Sequence, residues 1–387
     1  MTDVHGQVAP GFEAVREAFA RNFAEHGEVG ASVCVYRRGT PVVDLWAGEA
    51  DPQTGRPWQA DTICLVFSTT KGVTAACVHR LVERGEIDLD APVARYWPEF
   101  AANGKGAITV RQVLTHQAGL AAVEGDLTLE EVCAWQPVVD AIARQAPGWE
   151  PGTAHGYHAR SYGWILGEVI RRVTGRTAGS FLAEEVAGPL DADFFVGLPE
   201  REEPRVARML PAPPLTDPKQ IELREKIMGP DTWLGRVLSG PSNLFAYDDM
   251  WNTRALHATE MPSSNGIASA RGVARIYAAM IGEVDGVRLL REETMQAART
   301  LQVEGPDKVI LVPMRFGLGF TLRGSLPPGT GKGAFGHPGA GGSLGFADPE
   351  AGLGFGYVMN QMKLGLAGDE RSAGLVEALY ASLASAH

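Results

Sequence analysis

The sequence predicts a mixed α/β (α+β) fold in which one sheet is built from both ends of the chain and a mostly helical lobe is inserted between them. Three observations carry this. Strand signals cluster before residue 70 and return after residue 315. The stretch between them reads as helices and loops. The chain has 387 residues, more than one compact core usually needs, so two lobes are expected. The expected division is residues 1–70 and 261–387 for the sheet-containing lobe and 71–260 for the helical lobe, with a site between them.

The elements follow in order. Residues 11–27 place Phe12, Val15, Phe19 and Phe23 at spacings of three and four, an amphipathic helix ended by Gly27. Residues 31–36 and 42–48 flank Arg38-Gly39-Thr40 and read as a hairpin. An apolar run, Ile63 to Phe67, leads directly into Ser68. Helical periodicity then runs from Gly72 to Arg84 and stops at Gly85. Helices are expected at 109–118 and 161–174. Residues 199–220, rich in Pro and charge, read as a long surface excursion. Strands are expected at 316–320, 345–348 and 354–359, the last two joined by a turn at 349–352. A final helix is expected near 370–385.

Composition narrows the function. There are 35 Lys+Arg against 46 Asp+Glu, a formal net charge of −11. An acidic chain without a basic stripe repels phosphate backbones and anionic lipid, so nucleic acid is not an expected partner. The first residues carry no secretory pattern, and no apolar stretch approaches the length of a bilayer span. Cys34, Cys64, Cys77 and Cys133 have no C-x-x-C spacing and read as free thiols in a reducing compartment, the cytoplasm being the simplest.

Ser68-Thr69-Thr70-Lys71 is the chain's one Ser-x-x-Lys. The strand-like run before it puts Ser68 at the start of a helix, and positions i and i+3 share a helix face. A serine hydroxyl is a poor nucleophile without an adjacent base. A lysine serves when burial lowers its pKa. The helix N-terminus also favours negative charge and supplies backbone N–H groups for an oxyanion. Alone, these four letters also fit a helix cap beside a surface lysine; the companions decide.

Those companions resemble a known family. Val66 to Lys71 is similar to the nucleophile motif of the serine β-lactamase-like superfamily. That group includes class C β-lactamases, D-Ala-D-Ala peptidases and the family VIII carboxylesterases. Residues 85–93 with Tyr96-Trp97-Pro98-Glu99, the Leu114-Thr115-His116-Gln117-Ala118-Gly119-Leu120 stretch, and Pro147-Gly148-Trp149-Glu150-Pro151-Gly152 ahead of Tyr157 resemble its further segments, in the same order. The resemblance spans roughly residues 25–365 and implies an antiparallel sheet flanked by helices. The family's Tyr-x-Asn stands here as Tyr157-His158-Ala159, and its Lys-Thr-Gly region as Gly336-His337-Pro338-Gly339-Ala340.

By resemblance, Tyr157 shares a proton with Lys71 and Ser68, acting as base in acylation and as acid towards the leaving group, its phenol pKa lowered by the lysine cation. The Ser68 and Ala340 N–H groups form the oxyanion hole. His337, Gly339 and His158 contact substrate. Two departures shape the expected substrate. Ala159 lacks the amide that helps hold a lactam. His337 is mostly neutral where a lysine would present a permanent cation. Both point to small uncharged carboxylic esters, hydrolysed through an acyl-enzyme on Ser68 with no cofactor and no metal. β-Lactam, D-amino-acid amide or peptide hydrolysis and acyl transfer remain open with the same machinery. A binding protein that keeps only the fold is a third class, disfavoured by the intact Ser68, Lys71 and Tyr157. The oligomeric state is left open.

Three further motifs compete and fail. Gly341-Gly342-Ser343-Leu344-Gly345 is a G-x-S-x-G, yet a strand rather than a helix follows, and the only later histidine is His387. Ser343 is therefore read as a turn residue. Pro328 to Gly333 lacks the first glycine and the Ser/Thr of a phosphate loop. His155 and His158 lack a third metal ligand nearby.

Overall fold

The computed structural model describes residues 2–363 and 369–385. The N-terminal end supplies β1 (His5–Val8), β2 (Gly30–Arg37), β3 (Thr40–Asp51) and the short β4 (Arg56–Pro57). Three two-residue strands, β5 (Cys64–Leu65), β6 (Phe194–Phe195) and β7 (Ile267–Ala268), form a separate small sheet. The C-terminal end supplies β8 (Val303–Pro306), β9 (Pro313–Phe316), β10 (Thr321–Leu322), β11 (Phe335–Pro338), β12 (Leu344–Asp348) and β13 (Leu353–Met359). The large sheet runs β1-β3-β2-β13-β12-β11-β10-β9-β8, with β4 paired to β3. Every pairing is antiparallel, and β2 meets β13 in the register Val35↔Phe355 and Val33↔Tyr357. The two ends of the chain thus close one sheet at its centre, which is the predicted fold class.

Side chains alternate across a strand, so β13 serves both faces. Gly354 and Gly356 turn towards the Ala270–Ile281 helix, whose backbone a Cβ at either position would overlap. Phe355 and Tyr357 turn the other way. There the Tyr357 hydroxyl bonds Glu28, which pairs with Arg371 of the Glu370–Ser385 helix. The Glu13–Glu25 helix buries Val15 and Phe19 in the same continuous core.

The hairpin, the 161–174 helix and the final helix lie where expected, as Ser161–Thr174 shows. Three expectations are corrected. The strand expected at 316–320 is a turn between β9 and β10. Gly319 is left-handed at φ 88, and its N–H donates to the Leu114 carbonyl. The helix expected at 109–118 spans only Val110–Leu114, opened by a Thr109/Gln112 capping box and stopped by His116 at φ 60. The 199–220 excursion is partly internal: Val206, Ala207 and Met209 are buried, and Val206 and Leu210 bridge Ile63 and Gln361. Its abundant Pro and charge conceal these apolar positions.

Candidate active site

Ser68 stands on a strained corner. After β5 the chain turns at Phe67, a bulky residue at φ 44, into the 3₁₀ turn Phe67–Thr69 and then the Thr70–Glu83 helix. The corner is braced on all sides. The Val66 carbonyl accepts from Thr69 N–H at 3.2 Å and from Ser343 Oγ at 2.8 Å. Phe67 meets Tyr247 and Trp251 edge-on, at 5.4 and 5.2 Å between ring centroids. First-turn N–H groups have no intrahelical acceptor, so this corner presents a donor beside the Ser68 hydroxyl.

Lys71 is fully buried, its Nζ 3.1 Å from Ser68 Oγ. Nζ also donates to the carbonyls of Ala159 at 2.6 Å and Ser263 at 2.9 Å. Burial, with the nearby Arg160 cation, holds its pKa well below the ordinary lysine range. Nζ thus meets three oxygens, two carbonyls and one hydroxyl. Among the described residues Lys71 forms no ion pair.

Tyr157 completes the group. Its ring lies 4.8 Å from Lys71 Nζ, its phenol bonds Ser68, and its backbone N–H donates to Asp307 Oδ1 at 3.0 Å. Here an expectation is corrected. Burial pushes the phenol pKa up, opposed mainly by the Ser68 hydrogen bond. Burial thus works against the charged form of both Lys71 and Tyr157.

His337, on β11, is buried and neutral, its pKa lowered to about 3, chiefly by burial. Nδ1–H donates to the Pro338 carbonyl at 2.7 Å, which leaves the Nε2 lone pair without a partner among the described residues. The His337 ring sits 5.9 Å from that of Tyr157. Ala340 opens the 3₁₀ turn Ala340–Gly342 and faces the same pocket. Arg371 donates to the Gly341 carbonyl at 2.7 Å and so braces this turn from behind.

The structure thus brings Ser68, Lys71, Tyr157, His337 and Ala340 together. Two other expected contacts are not brought to the pocket. His158 is fully buried with both ring nitrogens engaged: Nε2 accepts from Leu120 N–H at 3.0 Å, and Nδ1–H donates to the Gly156 carbonyl at 2.6 Å. It holds the Tyr157 loop rather than substrate. Gly339 packs against the nucleophile corner, where a Cβ would overlap Ser343 Oγ and the Val66 carbonyl. Ser343 itself is buried, its hydroxyl spent on Val66 and Thr69.

Several pocket residues carry no sequence signal. Phe67, Leu238, Tyr247, Ile310 and Met314 form an apolar wall, with Ser264 and Arg160 among its polar members. Arg160 is buried and donates to the carbonyls of Val237, Leu238 and Gly240, while its guanidinium lies 4.2 Å from the Phe245 ring centroid. Burial lowers its pKa to about 10, so it stays a cation. Asp307 Oδ1 gathers the N–H groups of Tyr157, Val309 and Ile310. Among the described residues there is no cluster of His, Cys, Asp and Glu that could hold a metal, and no helix long and apolar enough to cross a membrane.

A serine at a helix start, a buried lysine and a facing tyrosine beside an antiparallel sheet are the arrangement of a serine hydrolase, and the beta-lactamase family model matches residues 15–379. The chain belongs to the beta-lactamase family. It is 38% identical over 373 residues to the esterase/beta-lactamase LipL of Mycobacterium tuberculosis, covering 93% of this chain and 83% of that protein. Among solved structures it resembles a family VIII carboxylesterase (41% identity, TM-score 0.89, covering 98% of this chain and 100% of the other). It also resembles EstA from Arthrobacter nitroguajacolicus (38%, TM-score 0.85, covering 98% and 99%). A penicillin-binding protein homolog from Caulobacter crescentus is comparably similar (37%, TM-score 0.85, covering 98% and 100%).

Proposed function

We propose that the chain hydrolyses small uncharged carboxylic esters through an acyl-enzyme on Ser68. The observation that carries this is the Lys71 environment: a buried amine with two carbonyl acceptors and one hydroxyl at 3.1 Å. The Lys71 lone pair takes the Ser68 proton as Oγ bonds to the ester carbonyl carbon. The oxyanion that forms faces the Ser68 and Ala340 N–H groups. Tyr157 gives its phenolic proton to the departing alkoxide and recovers one from the Lys71 ammonium. Water then attacks the acyl carbon, its proton passing to the neutral Lys71 amine, and the tetrahedral intermediate collapses with return of that proton to Ser68 Oγ. No step calls for a cofactor.

The pocket chemistry supports esters. Ala159 offers no side-chain amide, and a neutral His337 offers no fixed cation for a substrate carboxylate. The esterase names among the relatives agree. The four unpaired thiols suit a reducing compartment such as the cytoplasm. A second reading, β-lactam hydrolysis on the same residues, draws support from the LipL and penicillin-binding relatives. Steady-state kinetics separate the two. Ser68→Ala is expected to lower kcat on p-nitrophenyl acetate by about a thousandfold or more, and Ser343→Ala to retain most of it. Nitrocefin turnover by the wild type is expected to fall far below ester turnover; the reverse ranking selects the second reading.

A further inference from the structure

A second apolar cavity adjoins the pocket. It is a groove of about 610 Å³ between the Pro218–Met228 helix and the Trp233–Ser239 helix with the loop that follows. Leu215, Ile221 and Met228 form its outer side, and Leu238, Phe245 and Tyr247 its inner side. Two of these, Leu238 and Tyr247, also line the catalytic pocket. Tyr247 in turn meets Phe67 edge-on, and Phe67 precedes Ser68. The groove therefore begins one aromatic ring from the nucleophile corner. Its inner wall is held in place, because Arg160 binds the carbonyls of Val237, Leu238 and Gly240. Its outer wall is unfilled: the Pro218–Met228 helix buries no side chain, and Ile221 remains 38% exposed. Arg224 and Glu225 are its charged members, and the other side chains that line it are uncharged.

We infer that this groove is a subsite for a linear alkyl chain of the ester, which passes Leu238 and Tyr247 on its way from the reacting carbonyl. The inference rests on the ester-hydrolase reading and adds a substrate class to it: esters with an extended saturated chain, on the acyl or the alcohol side. Ligand sites are concave, largely apolar and preformed, as this groove is. Each methylene removed from water contributes about fourfold in binding.

Two substrate series test it. p-Nitrophenyl esters from acetate to octanoate vary the acyl chain, and alkyl acetates from ethyl to octyl, followed by proton release, vary the alcohol. In one series kcat/KM is expected to rise at least about tenfold with length, and the responding series names the chain that occupies the groove. Leu215→Glu and Ile221→Glu place a carboxylate in the groove and are expected to lower the long-to-short ratio at least about tenfold. Leu223→Glu, on the same helix but outside the groove, leaves the ratio unchanged. Fluorophosphonate labelling of each variant verifies that it is folded. A flat or falling length profile in both series, or an unchanged ratio in both groove variants, overturns the subsite while short-ester turnover persists. Absence of turnover of any ester by the wild type removes the ester reading itself, and the subsite with it.

Discussion

At the scale of single residues, the chemistry turns on where one proton resides before substrate arrives. Burial lowers the Lys71 pKa and raises that of Tyr157, so both favour their uncharged forms. The proposed mechanism therefore requires Lys71 deprotonated. As pH falls through its lowered pKa the amine protonates and kcat/KM falls; as pH rises above it kcat/KM reaches a plateau. His337 and His158, with pKa values lowered to about 3 and about 4, stay neutral across that limb. The acid limb of the pH profile is expected well below the ordinary lysine range; a limb at that range contradicts the assignment. Lys71→Arg, a cation that cannot act as base, is expected to lose roughly 10²–10⁴ in kcat/KM. Tyr157→Phe is expected to slow ethyl acetate more than p-nitrophenyl acetate, because nitrophenolate leaves without a proton. Equal slowing would remove Tyr157 as the acid. Spacing and order mark Ser68, Lys71 and Tyr157 in the sequence, and the structure places the three side chains together. Asp307 and Arg160 were not so marked, since the bond that ties Asp307 to Tyr157 spans 150 residues and those of Arg160 span 77 to 80. His158 was misjudged because adjacency to Tyr157 gave no sign of which side its ring takes.

At the scale of elements, the nucleophile corner and the 339–342 turn are held as one unit. Gly339 permits their contact: its N–H donates to the Ser343 carbonyl at 2.7 Å, and it leaves no side chain between β11 and Val66. Gly339→Ala is expected to cost about 1–3 kcal/mol of stability through overpacking, read as a lower denaturant midpoint. It should also lower kcat by moving Ala340 away from Ser68. Unchanged kcat would show that the turn does not set the oxyanion geometry. Hairpin periodicity was plain in the sequence of β2 and β3. The 316–320 run misled because Phe and Leu alternate there as in a strand, while Gly317 and Gly319 make the turn. Ser343 likewise carries a nucleophile's pentapeptide, yet its hydroxyl serves Val66 and Thr69.

At the scale of the whole molecule, the two ends of the chain meet behind the site. Arg371 is fully buried against Glu28 at 2.8 Å, near Asp369, and against the Gly341 carbonyl. One guanidinium thus ties the N-terminal part, the final helix and the turn that carries Ala340. Arg371→Met strands the Glu28 and Asp369 carboxylates in the core and is expected to cost about 3–5 kcal/mol in urea unfolding. A change below 1 kcal/mol, a level of about ordinary surface substitutions, contradicts that role. The joined sheet was legible from strand signals at both ends, but the central β2–β13 pairing, which joins Val35 to Phe355, is a tertiary fact no local pattern encodes. The central claim, that Ser68 is the nucleophile, is tested most directly by mass spectrometry after incubation with a fluorophosphonate. One adduct on the peptide bearing Ser68, absent in Ser68→Ala, is the predicted result; an adduct on Ser343, or no adduct at all, would contradict it.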